Sequence, residues 1–147
     1  VIIYDKRGRL VSKWGTSFPG AHGLSIVKED RREVLYLTDL QTHKVVKTTL
    51  DGKRLEEWGW PEGSGKYRQE TEYKPSWTLH PSDGGFYVLD GYGRDYILRF
   101  DANGRMSSVL GGAEGGIVHW GPHGGMIDRY RGAETLLIAM SDQQYLL

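Results

Sequence analysis

Apolar and polar residues alternate over short stretches of this chain, and turns rich in Gly, Asp or Asn separate the stretches. A period of two is typical of β-strands that bury one face, whereas an amphipathic helix repeats every three or four residues. No stretch of the sequence shows the helical period. The pattern therefore predicts an all-β fold of short strands joined by tight turns.

The predicted strands recur in groups of four. One group consists of AHGLSI, VLYLTDL, KVVKTTLDG and RLEEWG (residues 21–26, 34–40, 44–52 and 54–59). The next group consists of KPSWTLHP, FYVLDGYG, YILRFDANG and RMSSVLGG (residues 74–81, 86–93, 96–104 and 105–112). The chain begins with two strands, VIIYDKRG and LVSKWG, and a last group starts at GPHGGMI and reaches LLIAMSD (residues 1–8, 10–15, 121–127 and 136–142).

A regular spacing identifies these groups as structural repeats. Asp39, Asp90 and Asp142 close the second strand of successive groups, at intervals of 51 and 52 residues. Repeats of this length, each with four short strands, are typical of β-propeller blades. We therefore predict an all-β fold, a β-propeller of four-stranded antiparallel blades.

The sequence holds about three blades' worth of strands. Residues 1–15 are assigned to the outer strands of one blade, 16–60 and 61–112 to complete blades, and 113–147 to the inner strands of another. Propellers close with about four to eight blades, so we expect this chain to supply about half of a six-bladed ring. The missing blades would come from a longer chain, which we favour, or from a second copy related by a twofold axis.

Strand direction predicts where polar residues gather. In an up-and-down blade, the connection between blades and the loop after the second strand emerge on the same face of the ring. His22 and His123 lie where that connection enters the innermost strand, and Tyr92 lies just past the second strand. We therefore expect these three side chains around one funnel, together with Asp39 and Asp142.

Composition narrows the class of partner. The 147 residues carry 19 basic and 19 acidic side chains, so charge gives no case for nucleic acid or an anionic membrane surface. No apolar run approaches the length of a membrane-spanning helix. The chain has no cysteine, which excludes disulfides and thiolate metal ligands. A small-molecule or peptide ligand remains as the expected partner.

Each polar candidate also has a structural interpretation. A single histidine before Gly-Leu would more often cap a strand, but two at equivalent positions of alternate blades favour metal binding, since imidazole suits zinc. The intervening blade has Ser76 there. The recurring aspartates are interpreted as turn residues that accept backbone N–H bonds. The remaining histidines are interpreted as packing or turn residues: His43, His80 and His119.

The blade pattern, an apolar strand ending in Asp and a terminal WG, resembles the NHL repeat. AHGLSI with YLTDLQTHKVVKTTLDG, then KPSWTLHP with FYVLDGYG, then GPHGGMID resemble three successive blades of the peptidyl-α-hydroxyglycine α-amidating lyase family. This resemblance implies a six-bladed propeller that splits a peptidyl-α-hydroxyglycine into a peptide amide and glyoxylate. It also implies an extracellular or periplasmic location.

The resemblance implies functional roles for the residues of this sequence that match the family's motifs. His22 and His123 match two of three zinc ligands, and Tyr92 matches the general base. The backbone carbonyl of Leu24 matches a ligand of a structural calcium ion. Zinc and calcium are thus the cofactors that the resemblance implies, with zinc polarising the substrate hydroxyl and the phenolate taking its proton.

The sequence also departs from that family. The third histidine would lie past Leu147, and Gln143 stands where the family has a substrate-binding arginine. Glutamine cannot form the bidentate carboxylate contact of arginine. The polar connection at residues 60–77 is interpreted as a solvated loop, and in a functional interpretation Lys66 or Arg68 would replace the missing arginine.

Three functions follow in order of preference. The first is a metal-dependent lyase acting on a peptidyl-α-hydroxyglycine-type substrate. The second is a non-catalytic NHL propeller that binds a peptide or protein on its loop face through exposed aromatic residues: Trp58, Trp60, Tyr67 and Tyr73. The third is a calcium-dependent hydrolase, for which the channel offers histidine in place of carboxylates.

Overall fold

The computed structural model describes residues 1–116 and 120–141. This part of the chain contains twelve β-strands and, apart from short 3₁₀ turns, no helix. The strands are β1 (Ile2–Tyr4), β2 (Leu10–Lys13), β3 (Ala21–Glu29), β4 (Arg32–Asp39), β5 (Lys44–Thr49), β6 (Arg54–Trp58), β7 (Trp77–Leu79), β8 (Phe86–Leu89), β9 (Tyr96–Phe100), β10 (Met106–Gly111), β11 (Pro122–Asp128) and β12 (Thr135–Met140). The 3₁₀ turns span Glu62–Ser64, Glu70–Glu72, Ala113–Gly115 and Tyr130–Gly132.

The strands form two four-stranded and two two-stranded antiparallel sheets. Each four-stranded sheet is a meander in sequence order, β3-β4-β5-β6 and β7-β8-β9-β10, and the smaller sheets pair β1 with β2 and β11 with β12. Within the first full blade, Leu37 pairs with Leu24 on one side and Val46 on the other. The predicted all-β fold of four-stranded antiparallel blades is confirmed, and the number of blades in the ring stays a prediction.

The second and third strands of a blade are buried on both faces. In β4, the six residues from Val34 to Asp39 are all buried, and in β9 every residue except Arg99 is buried. Both faces of these strands are covered because each blade packs between two neighbours. This explains why apolar runs interrupt the alternation at VLYL and YIL, whereas the outer strands β6 and β10 are mostly exposed.

Two apolar clusters hold the sheets together. The larger cluster joins the two full blades, with Val34, Tyr36 and Val45 on one side and Val88 and Leu98 on the other. The smaller cluster joins the second full blade to the β11-β12 sheet: Leu79, Leu89, Ile97 and Trp120, with Leu136, Ile138 and Met140 packed against them. Burial of this apolar surface fixes the relative positions of three consecutive innermost strands.

The connection from β6 to β7 was predicted to expose aromatic side chains, and that prediction is wrong. Tyr67 is 5% exposed and Tyr73 is fully buried in the larger cluster. Trp58 and Trp60 pack against the same cluster. The connection folds back over the seam between the blades because these rings bury more favourably there than in water.

The aspartates that end the second strand organise the turns, as expected. The Asp39 carboxylate accepts hydrogen bonds from the backbone N–H groups of Gln41 and Thr42, at 2.9 and 2.8 Å. Asp90 accepts those of Lys74 and Arg94, while Asp142 lies outside the described residues. Within the described part of the chain, no helix is long and apolar enough to cross a membrane.

Candidate functional site

The candidate site is formed at the start of the innermost strands. His22 is the second residue of β3 and His123 is the second residue of β11, so the two occupy equivalent positions in alternate blades. Tyr92 lies in the turn between β8 and β9 of the intervening blade.

The structure brings these three side chains into contact. The ring centroids of His22 and His123 are 4.7 Å apart, and each is 5.1 Å from the centroid of Tyr92. All three contacts are edge-to-face. Tyr92 is 47% exposed and both histidines are half-buried, so a ligand in solvent can reach the cluster. The convergence expected from strand direction is present, and the chemical roles of the three residues stay predictions.

Ser76 explains how side chains from alternate blades can touch. It immediately precedes β7, where its neighbours in the flanking blades carry histidine, and it is fully buried. Its carbonyl oxygen accepts a hydrogen bond from His22 Nδ1 at 2.9 Å, and its hydroxyl donates to the Pro122 carbonyl at 2.8 Å. A small residue in the middle blade therefore links both neighbours and leaves the space above it to the two imidazoles.

Close backbone approach reinforces this arrangement. A Cβ atom on Gly23 would collide with the Ser76 carbonyl, and a Cβ atom on Gly91 would collide with the Pro122 carbonyl. Glycine at both positions lets the three blades converge at the site.

Hydrogen-bond partners determine which nitrogen of each ring is available. A carbonyl only accepts, so the bond to Ser76 places the proton of His22 on Nδ1 and leaves the Nε2 lone pair unused. The Tyr92 hydroxyl lies within hydrogen-bond distance of His123 Nε2, at 2.6 Å. The cluster therefore combines an imidazole whose Nε2 can coordinate a metal with a phenol and a second imidazole that share a hydrogen bond.

The donor set fits two ligands of a catalytic zinc ion. Metal-binding histidines usually donate their second N–H to a carbonyl or carboxylate, as His22 does to Ser76. Across residues 1–116 and 120–141, no three His, Cys, Asp or Glu side chains cluster as a metal site would require. A third protein ligand for zinc would therefore lie outside these described residues. Leu24, the predicted calcium ligand, lies two residues past His22 and pairs with Leu37.

His43 and His80 do not join the cluster. His43 Nδ1 bonds the Tyr73 carbonyl at 2.6 Å, as its interpretation as a loop-bonding residue requires. His80 lies beyond the far end of β7, against the ring of Tyr36. His119 and Gln143 lie outside the described residues, as does Asp142, while Asp39 is occupied by its turn.

A cavity of about 400 Å³ adjoins Tyr92, and its two cations were not predicted as site residues from the sequence. Lys74 and Arg94 line it together with Glu72 and Asp95. Arg94 follows Tyr92 by two residues, so the DGYGR segment itself signalled a cation beside the phenol. Lys66 and Arg68, the cations considered earlier, are each paired with a carboxylate: Lys66 with Glu114 at 2.7 Å, and Arg68 with Glu72 of the cavity wall at 2.8 Å.

Comparison with solved structures identifies the fold in a known enzyme. A catalytically inactive histidine-to-alanine variant of virginiamycin B lyase from Staphylococcus aureus, solved with quinupristin, matches 82% of this chain with a TM-score of 0.57 and 18% sequence identity. The matched region is 36% of that protein's chain, so the present chain spans about a third of its length. At this identity the likeness shows the propeller fold alone. No protein-family model and no curated protein sequence matches the chain.

Proposed function

We propose that this chain forms part of a metal-dependent propeller lyase that splits a peptidyl-α-hydroxyglycine-type substrate into an amide and glyoxylate. The observation that carries the proposal is the contact of His22, Tyr92 and His123, which come from three consecutive blades. A strand-capping role would not require one imidazole of each flanking blade to face a phenol of the middle blade. The structural likeness to virginiamycin B lyase is a likeness of fold, and it makes a lyase the first reaction class to test.

His22 and His123 would hold the zinc ion through their Nε2 atoms. A bound zinc would supply Lewis acidity at the substrate hydroxyl. His22 is ready for this role because Ser76 fixes its proton on Nδ1. At His123, the Nε2 atom that now lies 2.6 Å from the Tyr92 oxygen would be the one that coordinates, which would free the Tyr92 oxygen for the substrate.

Tyr92 would act as the general base. In its phenolate form it takes the proton of the substrate α-hydroxyl, the electron pair of that O–H bond forms the carbonyl of glyoxylate, and the C–N bond breaks. The departing nitrogen takes this proton back from the Tyr92 phenol to give the amide, which restores the phenolate. Proton transfer to a well-placed general base typically raises a reaction rate by about 10²- to 10⁴-fold.

The test is glyoxylate release by the full-length protein from a peptide that ends in α-hydroxyglycine, with zinc added. We expect release in the wild type, and loss of both release and bound zinc in the His22→Ala and His123→Ala variants. His43→Gln is the matched control, because His43 bonds a loop carbonyl away from the cluster. Absence of glyoxylate with metal fully bound would overturn the proposal.

Two further arms separate the competing functions. In one arm, quinupristin, the compound present in the solved lyase structure, replaces the hydroxyglycine peptide, and cleavage of quinupristin alone would reject the hydroxyglycine-type substrate. In the non-catalytic alternative, a peptide binds without turnover and His22→Ala leaves that binding intact. The burial of Tyr67 and Tyr73 removes two of the four aromatic contacts expected for that alternative, which also rests on the missing arginine at position 143.

A further inference from the structure

In the cavity beside Tyr92, the acidic residues have hydrogen-bond partners, whereas the basic residues are less fully paired. Glu72 accepts three hydrogen bonds from Arg68: from its backbone N at 2.9 Å, its Nε at 3.0 Å and its Nη2 at 2.8 Å. These bonds lower the pKa of Glu72 below its ordinary value, with the backbone bond as the largest cause. Asp95 accepts the backbone N–H of Gly121 at 3.1 Å. Both carboxylates therefore already have partners.

The two cations are less fully paired. Among the described residues, no carboxylate or other acceptor bonds the ammonium group of Lys74, whose side chain is half-buried at the cavity wall. Arg94 makes one long contact with Glu72, 3.5 Å between Nη1 and Oε1, and Glu72 is already bonded to Arg68. Lys74 therefore has no close counter-charge among the described residues, and Arg94 shares its counter-charge with Arg68. A half-buried cation in this setting attracts an anion more strongly than an exposed one, since the local dielectric is lower than that of water.

One buried carboxylate fixes both cationic residues in place. Asp90 is fully buried, and its Oδ1 accepts the Lys74 backbone N–H at 2.6 Å while its Oδ2 accepts the Arg94 backbone N–H at 2.7 Å. The Tyr67 hydroxyl donates to the same Oδ2 at 2.9 Å. The two walls of the cavity, one before β7 and one after β8, are thus joined through a single side chain.

We propose that Lys74 and Arg94 form an oxyanion-binding pocket against the ring of Tyr92, which takes a carboxylate or phosphate group of a ligand. The fork of arginine binds either group through two parallel N–H bonds, and lysine adds a point charge. A cavity of about 400 Å³ is at the small end of ligand pockets and accommodates such a group with its adjacent atoms. Anion binding is inferred from the charges of Lys74 and Arg94 alone. Only the identification of the anion as part of the lyase substrate rests on the proposed function.

The experiment measures binding without turnover. Metal-free full-length protein is titrated with hippurate, with its neutral amide hippuramide, and with phenyl phosphate, by calorimetry. We expect at least one of the two anions to bind about tenfold more tightly than the amide, with an affinity that falls as salt is added. A preference for hippurate assigns a carboxylate and a preference for phenyl phosphate assigns a phosphate. Equal affinity for all three compounds overturns the proposal.

Matched variants locate the pocket. Lys74→Gln combined with Arg94→Gln should remove the preference for the anion, while Lys66→Gln, in the same connection but paired with Glu114, should keep it. Thermal unfolding of each variant checks that the fold is intact, and the single Lys74→Glu variant provides a second route by reversing one charge. An anion preference that survives both changes overturns the proposal.

The outcome is separable from that of the lyase. Tyr92→Phe keeps the aromatic wall and should retain anion binding while it loses glyoxylate release. A wild-type protein that binds the anion and releases no glyoxylate would leave the pocket standing and reject the lyase.

Discussion

The two ends of the innermost strands carry histidine in opposite settings. At the start of β3 and β11, His22 and His123 face each other and the half-exposed Tyr92. Past the far end of β7, His80 packs with its ring centroid 4.3 Å from that of Tyr36 and 6.0 Å from that of Phe86. Burial is the main reason that the pKa of His80 falls to about 4, with Glu29 opposing the fall and Lys47 adding to it.

Charged residues differ between the two ends in the same way. Around His80, a cleft of about 860 Å³ holds Lys47, whose ammonium lies 2.9 Å from Glu29 and 3.2 Å from Glu56. Around Tyr92, the ammonium of Lys74 has no such partner among the described residues. Charged groups that pair with one another stabilise the contact between blades. Charged groups that are held in place without a full set of hydrogen-bond partners can bind a ligand. Residue type alone does not separate these cases.

The largest expected effect is at Tyr92. Tyr92→Phe removes the oxygen that takes the substrate proton and leaves the ring contacts with both histidines. We expect glyoxylate release to fall by about 10²- to 10⁴-fold, with zinc content unchanged, measured by steady-state kinetics and metal analysis. On the opposite side of the comparison, His80→Gln should leave the rate at pH 7 within about twofold. Equal losses in the two variants would contradict the division between the two ends.

The sequence predicted the blade repeat and the convergence of His22, His123 and Tyr92, because both follow from strand count and direction. It did not predict the role of Ser76, whose contacts with His22 and Pro122 depend on how closely three blades approach. Burial of the aromatic rings in the β6–β7 connection was not predicted, because most residues of that connection are polar and the whole segment was therefore interpreted as a solvated loop.

The cations beside Tyr92 were missed for a related reason. Lys66 and Lys74 lie in the same polar connection, and their sequence contexts do not distinguish them. Only the structure shows that Lys66 has Glu114 within 2.7 Å, whereas the backbone of Lys74 is tied to Asp90. Pairing of charges is a property of the packed chain and has no local sequence signal here.

The next largest expected effect is on how the free energy of unfolding depends on pH, and it tests the end of the strands where His80 is buried. The folded pKa of His80, about 4, is below its ordinary value of 6.5, so the folded state holds fewer protons than the unfolded state between these values. The stability that His80 contributes is therefore complete above pH 6.5 and is lost as the pH falls toward 4. Its size is at most about 3 kcal/mol.

Asp90 acts in the opposite direction over nearly the same range. Burial raises its pKa to about 7 against the hydrogen bonds that it accepts, so its contribution is complete below about pH 4 and is lost as the pH rises toward 7. The two residues partly cancel in the wild type. Denaturant unfolding at several pH values should therefore show a weak dependence in the wild type. It should show a stability that falls as the pH rises from about 5 to 7 in His80→Gln, where His80 no longer opposes Asp90. A pH profile that His80→Gln leaves unaltered would show that His80 does not titrate on unfolding.

The smallest effect tests the close approach that assembles the cluster. Gly23 and Gly124 each follow a histidine of the cluster at the start of an innermost strand. A Cβ atom on Gly23 would collide with the Ser76 carbonyl and lie 2.8 Å from Thr38 Oγ1, whereas one on Gly124 would meet nothing within 4 Å. Gly23→Ala should thus cost about 1–3 kcal/mol of unfolding free energy, as overpacking does in a filled interior. It should also reduce zinc binding, because the backbone of His22 must move away from Ser76. Gly124→Ala, measured in the same denaturant titration, should stay close to the wild type. Equal losses of stability in the two alanine variants would mean that the approach of the three blades at Ser76 does not position His22.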